Sequence, residues 1–248
     1  MSALRFDSRV VLITGAAGAI GSETAVLLRE LGASLCLTDV SSDGLEATRS
    51  RVDVDHKDAL CSSADLSRVE EVDVLVDRCL EHFGQLDVVI NAAGIYPEAL
   101  IEAISEAEWR RVMQINLDSV FYVCQKAAPL LSTGGAIVNL TSIAAHRGSF
   151  GHGHYAASKA AVLALSRTLA TEYAPRVRVN CLSPGPVDTP MVRDLMRTSG
   201  SQILANTPMK RICKVREVAQ SLAFLASDWS SFITGETLHI NGGQYIYG

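Results

Sequence analysis

Val10-Val11-Leu12-Ile13 runs directly into Thr14-Gly15-Ala16-Ala17-Gly18-Ala19-Ile20-Gly21, and the reading of this stretch decides the fold. The short β-branched run predicts a buried parallel strand. From Glu23 to Leu31, Ala25, Leu27, Leu28 and Leu31 recur with helical spacing. Strand, glycine-rich turn and helix in that order open a unit that binds a dinucleotide pyrophosphate. The glycines let the backbone approach the phosphates, and the helix N-terminus offers unpaired N–H groups and a positive dipole end. Gly15, Gly18, Ala19, Ile20 and Gly21 are therefore candidate cofactor-binding residues.

Leu35-Cys36-Leu37-Thr38 predicts a second strand, with Asp39 at its C-terminal end. A carboxylate there accepts hydrogen bonds from the adenosine ribose hydroxyls and repels a 2′-phosphate. No Arg or Lys lies between Thr14 and Glu23 or between Thr38 and Thr48, so NAD is favoured over NADP. A plain loop residue capping the next helix remains the other reading of Asp39.

Further strands are expected near Ala59 to Ser63, Leu86 to Ile90, Gly135 to Leu140, Val177 to Cys181 and Thr237 to Ile240. Helices are expected at Arg68 to Phe83, Glu106 to Leu131, His154 to Tyr173 and Val215 to Ala226. Ser105-Glu106-Ala107-Glu108 is a capping box for the second of these. The alternation predicts an α/β fold: a doubly wound, mainly parallel seven-stranded sheet with helices on both faces. Ligands of such sheets lie at the carboxyl ends of the strands. One domain over residues 1–248 is expected, with a lid around 190–212.

Tyr155 and Lys159 stand four apart, thirteen positions after Ser142. On a helix they share a face, so an ammonium lies beside a phenol. A nearby positive charge is expected to draw the phenol down from its ordinary pKa of about 10. A tyrosine so tuned passes a proton to or from an alcohol. Alone, such a pair is commonly a helix surface and nothing more; the surrounding motifs give it meaning.

Together these segments resemble the short-chain dehydrogenase/reductase family, of the common type of about 250 residues, over Val10 to Gly243. The matching residues are Thr14, Gly15 and Gly21; Asn91-Ala92-Ala93-Gly94; Asn116; Ser142; Tyr155 and Lys159; and Pro184-Gly185-Pro186-Val187-Asp188-Thr189-Pro190. The resemblance implies Tyr155 as acid/base and Lys159 as its tuner and a ribose ligand. It implies Ser142 as alkoxide partner, and Asn116 as support for a water linking Lys159 to solvent. It implies NAD(H) contacts from Asp65, Leu66, Asn91, Ala92, Gly94, Pro184 and Gly185, with Thr189 and the Val187 backbone on the carboxamide. It further implies a homotetramer in which the helices carrying Asn116 and Tyr155 pair with their symmetry mates and Gly243 to Gly248 packs across another interface. The alanines at 156, 157, 160, 161 and 164 permit such close approach. Two departures stand out. The family usually has Gly at Ala19, where a methyl crowds the pyrophosphate unless φ is negative. Many relatives carry a second Asn at Ala92, which would add a bond bracing the sheet.

A net charge of −5 with no basic run longer than Arg110-Arg111 argues against nucleic acid. No run of eighteen apolar residues and no signal-length apolar N-terminus occur, so no membrane partner and a cytoplasmic location are expected. Six scattered cysteines without CxxC spacing suggest neither disulfides nor a metal cluster. His146, Arg147, His152 and His154 crowd the loop before Tyr155; His152-Gly153-His154 without a third ligand or carboxylate is weak as a zinc site, so solvated loop histidines are expected and no metal is assigned. Tyr96, Ala144, Arg147 and Met191 are the candidate substrate contacts, with Arg147 suited to an anionic group. The expected activity is NAD(H)-dependent interconversion of a secondary alcohol and a ketone. Alternatives are an NADP-dependent 3-oxoacyl-type ketoreductase, an isomerase, epimerase or dehydratase with tightly held NAD, or a non-catalytic nucleotide sensor, which would tend to lose Tyr155 or Lys159.

Overall fold

In the computed structural model, which describes residues 4–52 and 58–246, seven parallel strands form one sheet in the order β3-β2-β1-β4-β5-β6-β7. They are β1 (Val10–Thr14), β2 (Ser34–Asp39), β3 (Ala59–Ser63), β4 (Val88–Asn91), β5 (Gly135–Leu140), β6 (Val177–Pro184) and β7 (Thr237–Ile240). The helices are α1 (Ala19–Glu30), α2 (Ser42–Val52), α3 (Val69–Phe83), α4 (Glu106–Met113), α5 (Ser119–Ala127), α6 (Ala144–Arg147), α7 (Gly153–Tyr173), α8 (Arg193–Ala205) and α9 (Val215–Ala226).

Strand side chains alternate between faces, and the core divides accordingly. Val11, Ile13, Leu35, Leu37, Val88 and Ile90 meet Leu28 of α1, Leu45 of α2 and Leu222 of α9. Val10, Leu12, Cys36 and Val89 meet Leu75 of α3, Val123 of α5 and Val162 of α7 on the other side. Both faces are buried, which is why these strands read as continuous apolar runs. Strand order reverses between β1 and β4, and the turns leaving their carboxyl ends form a crevice there.

Several boundaries differ from those expected. Helix α1 starts at Ala19 rather than near Glu23, because the second half of the glycine segment is already its first turn. The expected helix from Glu106 to Leu131 is divided: α4 passes into a π segment, Gln114–Asp118, and resumes as α5. Ser105 does cap α4, its hydroxyl accepting from Glu108 N–H at 3.1 Å. The lid region holds a short turn, Pro190–Val192, and then α8. Tyr247 and Gly248, part of the C-terminal segment assigned to an interface, lie outside the described residues.

Candidate active site

The crevice is a cavity of about 1250 Å³. Ligand pockets commonly measure ~300–1,000 Å³, so this one has room for a dinucleotide and a substrate together. Every expected site residue lines it except Asn91 and Asn116. Asn91 points into the sheet, its amide donating to Asn139 Oδ1 at 2.8 Å, and is thus a brace between β4 and β5.

The glycine turn is built by contact. Gly15 has φ +66°, and a Cβ on Gly21 would fall 2.2 Å from the Gly15 carbonyl oxygen, so no other residue fits at 21. Thr14 Oγ1 accepts from both Ala92 N–H (3.1 Å) and Ala93 N–H (3.2 Å), fixing the segment after β4 onto the turn. Ala92 thus keeps its bracing through the backbone. Gly18 is the N-cap of α1, at φ −76°, and no side chain caps the helix, which leaves its first N–H groups for an anion. Ala19 is the first helical residue, so its φ is negative and the condition for tolerating its methyl is met. Asp39 is tied to the turn, Oδ2 accepting from Ala17 N–H and Oδ1 from Ser41 N–H, each at 3.1 Å. Asp65 accepts from Ser67 N–H and Oγ–H at 3.0 and 2.7 Å. Turn, open helix end and terminal carboxylate fit a nicotinamide dinucleotide.

Tyr155 and Lys159 project from the first turns of α7. Lys159 Nζ lies 5.9 Å from the Tyr155 ring centroid and donates to Leu140 O at 3.0 Å. Asn116, fully buried in the π segment, receives Ile95 N–H at 2.8 Å and donates to Ile95 O at 3.0 Å and Ser158 Oγ at 3.2 Å. A methyl on Gly94 would stand 3.2 Å from Asn116 Oδ1 and 3.3 Å from Lys159 Nζ, which shows how close these two groups come.

Electrostatics correct one expectation. Burial pushes Tyr155 up to about 12, only partly opposed by the Ser142 hydroxyl. Burial likewise pushes Lys159 down to about 8. The expected lowering of Tyr155 by Lys159 is absent, because desolvation penalises both charged forms more than their separation allows them to reward each other.

The histidines are a second correction. His152 and His154 are 5% and 0% exposed, not solvated. His152 stacks on Tyr96, and His154 Nδ1 accepts from Tyr155 N–H at 3.1 Å. His146 packs against His239 and Tyr245. Among the described residues no three His, Cys, Asp or Glu side chains are placed to hold a metal ion. Ala144, Arg147 and Tyr96 line the cavity from one side, and Met191, Leu195 and Ile203 from the lid. Gln244 also lines it and was not foreseen. Its tail turns back through Asn241, whose side chain accepts from Gly243 N–H and donates to Tyr245 O, both at 2.9 Å. Asn241-Gly242-Gly243 is the turn signal that marks this reversal.

Fold and cavity define a dinucleotide-binding α/β oxidoreductase. A family model described as enoyl-(acyl carrier protein) reductase matches residues 15–244. The 3-oxoacyl-[acyl-carrier-protein] reductase FabG of Thermotoga maritima is 36% identical over 251 residues, spanning 98% of this chain and all of that one. A cis-4-hydroxycyclohexanecarboxylate dehydrogenase of Sinomonas cyclohexanicum is 39% identical over 242 residues, spanning 96% and 97%. The crystal structure of a short-chain dehydrogenase/reductase, glucose/ribitol dehydrogenase, from Brucella melitensis superposes with TM-score 0.95 at 40% identity, covering 98% and 99%. Levodione reductase superposes with TM-score 0.91 at 35% identity, covering 97% and 98%. The chain belongs to the short-chain dehydrogenase/reductase family, whose oxidoreductases use a nicotinamide cofactor. No helix among the described residues is long and apolar enough to cross a membrane.

Proposed function

We propose that the protein interconverts a secondary alcohol and a ketone, with NAD(H) as cofactor and Tyr155 as the acid/base. The observation that carries this reading is the placement of Tyr155, Lys159 and Ser142 on the wall of the same cavity as the glycine turn and Asp39. Gly15, the start of α1 and Asp39 would hold the pyrophosphate and adenosine ribose, and Val187 and Thr189 the carboxamide. When bound, the cofactor supplies or takes up the hydride.

The chain's own residues handle the proton. In reduction Tyr155, kept as the neutral phenol by burial, donates its proton to the oxygen that was the carbonyl, while Ser142 hydrogen-bonds that oxygen as its charge develops. The phenolate left behind is stabilised by Lys159 in its ammonium form. With a pKa of about 8, Lys159 gains and loses a proton readily near neutral pH, and so can return one to Tyr155. Asn116 holds the backbone at Ile95 and, through Ser158, the helix that presents both residues. In oxidation the same transfers run backwards. Tyr96, Ala144, Arg147 and Met191 would contact the substrate, and closure of α8 over the cavity would exclude water.

A second reading, a 3-oxoacyl-type ketoreductase using NADP(H), is favoured by the full-length likeness to FabG. One experiment tests both: secondary alcohols, ketones and a 3-oxoacyl thioester are assayed by absorbance with each cofactor. A preference for NAD(H) of about 10-fold or more, some 1.4 kcal/mol, is expected from Asp39 facing a 2′-phosphate. Equal efficiency with both cofactors would overturn the NAD assignment, and activity confined to the thioester would favour the second reading.

A further inference from the structure

Tyr155 ends a row of three rings. Tyr96 stands edge-to-face on Tyr155 with 4.6 Å between centroids and lies nearly parallel to His152 at 3.7 Å. The segments that carry Tyr96 and His152 are pinned together three times. Ala99 N–H donates to Gly151 O at 2.7 Å, the Tyr96 and Ser149 hydroxyls lie 3.2 Å apart, and His152 Nδ1 lies 2.8 Å from Pro97 O. A carbonyl only accepts, so Nδ1 carries the proton of that bond. In the neutral ring Nε2 is then a lone-pair acceptor. His152 lines the cavity. Its Nε2 has no hydrogen bond among the described residues, and it is not among the buried polar atoms closed off from solvent. An acceptor held rigidly on the cavity wall, one ring away from Tyr155 and unused by the proton transfer, is built for recognition.

We propose that His152 is a specificity-determining residue whose Nε2 accepts a hydrogen bond from a second hydroxyl of the substrate. The preferred substrates are then diols and the corresponding hydroxyketones, over monoalcohols of the same skeleton. The inference rests on the dehydrogenase reading above. A site with a fixed acceptor rejects the analogue that leaves it unpaired and dehydrated, whereas it gains little from extra apolar contact.

The test compares kcat and KM for matched pairs, the cyclohexanediols against cyclohexanol and 2,3-butanediol against 2-butanol, in the wild type, His152→Phe and His152→Gln. The wild type should favour the diol of at least one pair by about 10-fold in kcat/KM, the size of one net hydrogen bond. His152→Phe keeps a ring on Tyr96 and should lose that preference mainly through KM. The loss of the Pro97 bond falls on both substrates alike, so the monoalcohol should lose clearly less than the diol. His152→Gln, which carries an acceptor oxygen, should recover part of the preference. Should the phenylalanine variant fail to fold, His152→Met removes the acceptor at similar bulk. Equal losses on diol and monoalcohol, or a wild type indifferent to the second hydroxyl, would overturn the proposal and leave His152 as a wall support. A wild type that oxidises no member of any pair would instead overturn the dehydrogenase reading, and this inference with it.

Discussion

Tyr155 and Lys159 each resist the charged state that an ion-tuned pair would require. Burial holds the phenol protonated up to about 12 and releases the ammonium proton from about 8. The immediate consequence is that Tyr155 holds the proton that the proposed reduction would draw on. Tyr155→Phe is expected to leave NADH binding nearly intact and to lower turnover by about 10²-fold or more, the size of a lost proton-transfer group. Retention of a tenth of the activity would remove Tyr155 from the role. The second consequence concerns stability. Lys159 is buried and its folded pKa lies below its unfolded value of 10.5, so between about 8 and 10.5 the unfolded chain holds more protons than the native one. Stability contributed at this site therefore rises with pH across that window, and its burial cost is fully present below it. Denaturant titrations at pH 7.5 and 9.5 (roughly either side of the folded value) compare the wild type with Lys159→Met. The wild type should gain on the variant at the higher pH. A constant gap would show that Lys159 is not the depressed group.

At the level of elements, the clearest joint is Thr14, where β1 ends and one hydroxyl serves two N–H groups of the segment after β4. Thr14→Val is nearly isosteric at a buried position and leaves the half-buried N–H groups of Ala92 and Ala93 without their partner. A loss of about 1 kcal/mol in urea unfolding, with weaker cofactor binding, is expected from these unpaired half-buried groups. A change under about 0.5 kcal/mol would mean that water replaces the hydroxyl. The elements themselves were legible to very different degrees. β3, β5, β7 and α9 have the bounds expected; β5 is a wholly buried run from Gly135 to Leu140, and the apolar residues of α9 recur at helical spacing. Helix α2 is anticipated only as the helix after Asp39, without bounds: its sequence, Ser42 to Val52, is polar, and only Leu45, Thr48 and Val52 turn inward. The π segment has no signature, since wider hydrogen bonding at Gln114–Asp118 answers to what the helix packs against.

For the molecule as a whole, a seven-stranded order centred on β1 and β4 brings residues as distant as Gly15 and Thr189 to one cavity. That convergence could be read from the sequence because each motif follows a strand, and all parallel strands end on the same side. What could not be read is which loop side chains fold inward. His152 and His154 belong to a glycine-flanked polar stretch, and their burial, His152 against Tyr96, comes from tertiary packing. The assembly expected from the family resemblance is also a property of the whole. Trp109 on α4 and Phe121 on α5 are 39% and 41% exposed, apolar surface that pairing with symmetry mates would cover. Light scattering at micromolar concentration should give about four times the 26.6 kDa chain mass. A fully active monomer would refute the assembly, and a dimer would leave one interface standing.

The π segment also sets a phase. One residue in an α-helix is worth about 100° of rotation. The wider turn at Gln114–Asp118 lets the rod from Glu106 to Ala127 change its angular setting midway without breaking. Its first half can turn Val112 inward while its second half turns Val120, Val123 and Ala127 toward the sheet, and neither face dictates the other. Asn116 sits at the changeover, where its amide reaches Ile95 across the gap. Shortening this span by one residue would give a more regular rod and a worse enzyme. The two halves would then share one setting, and either the packing of α5 or the position of Asn116 would have to be given up.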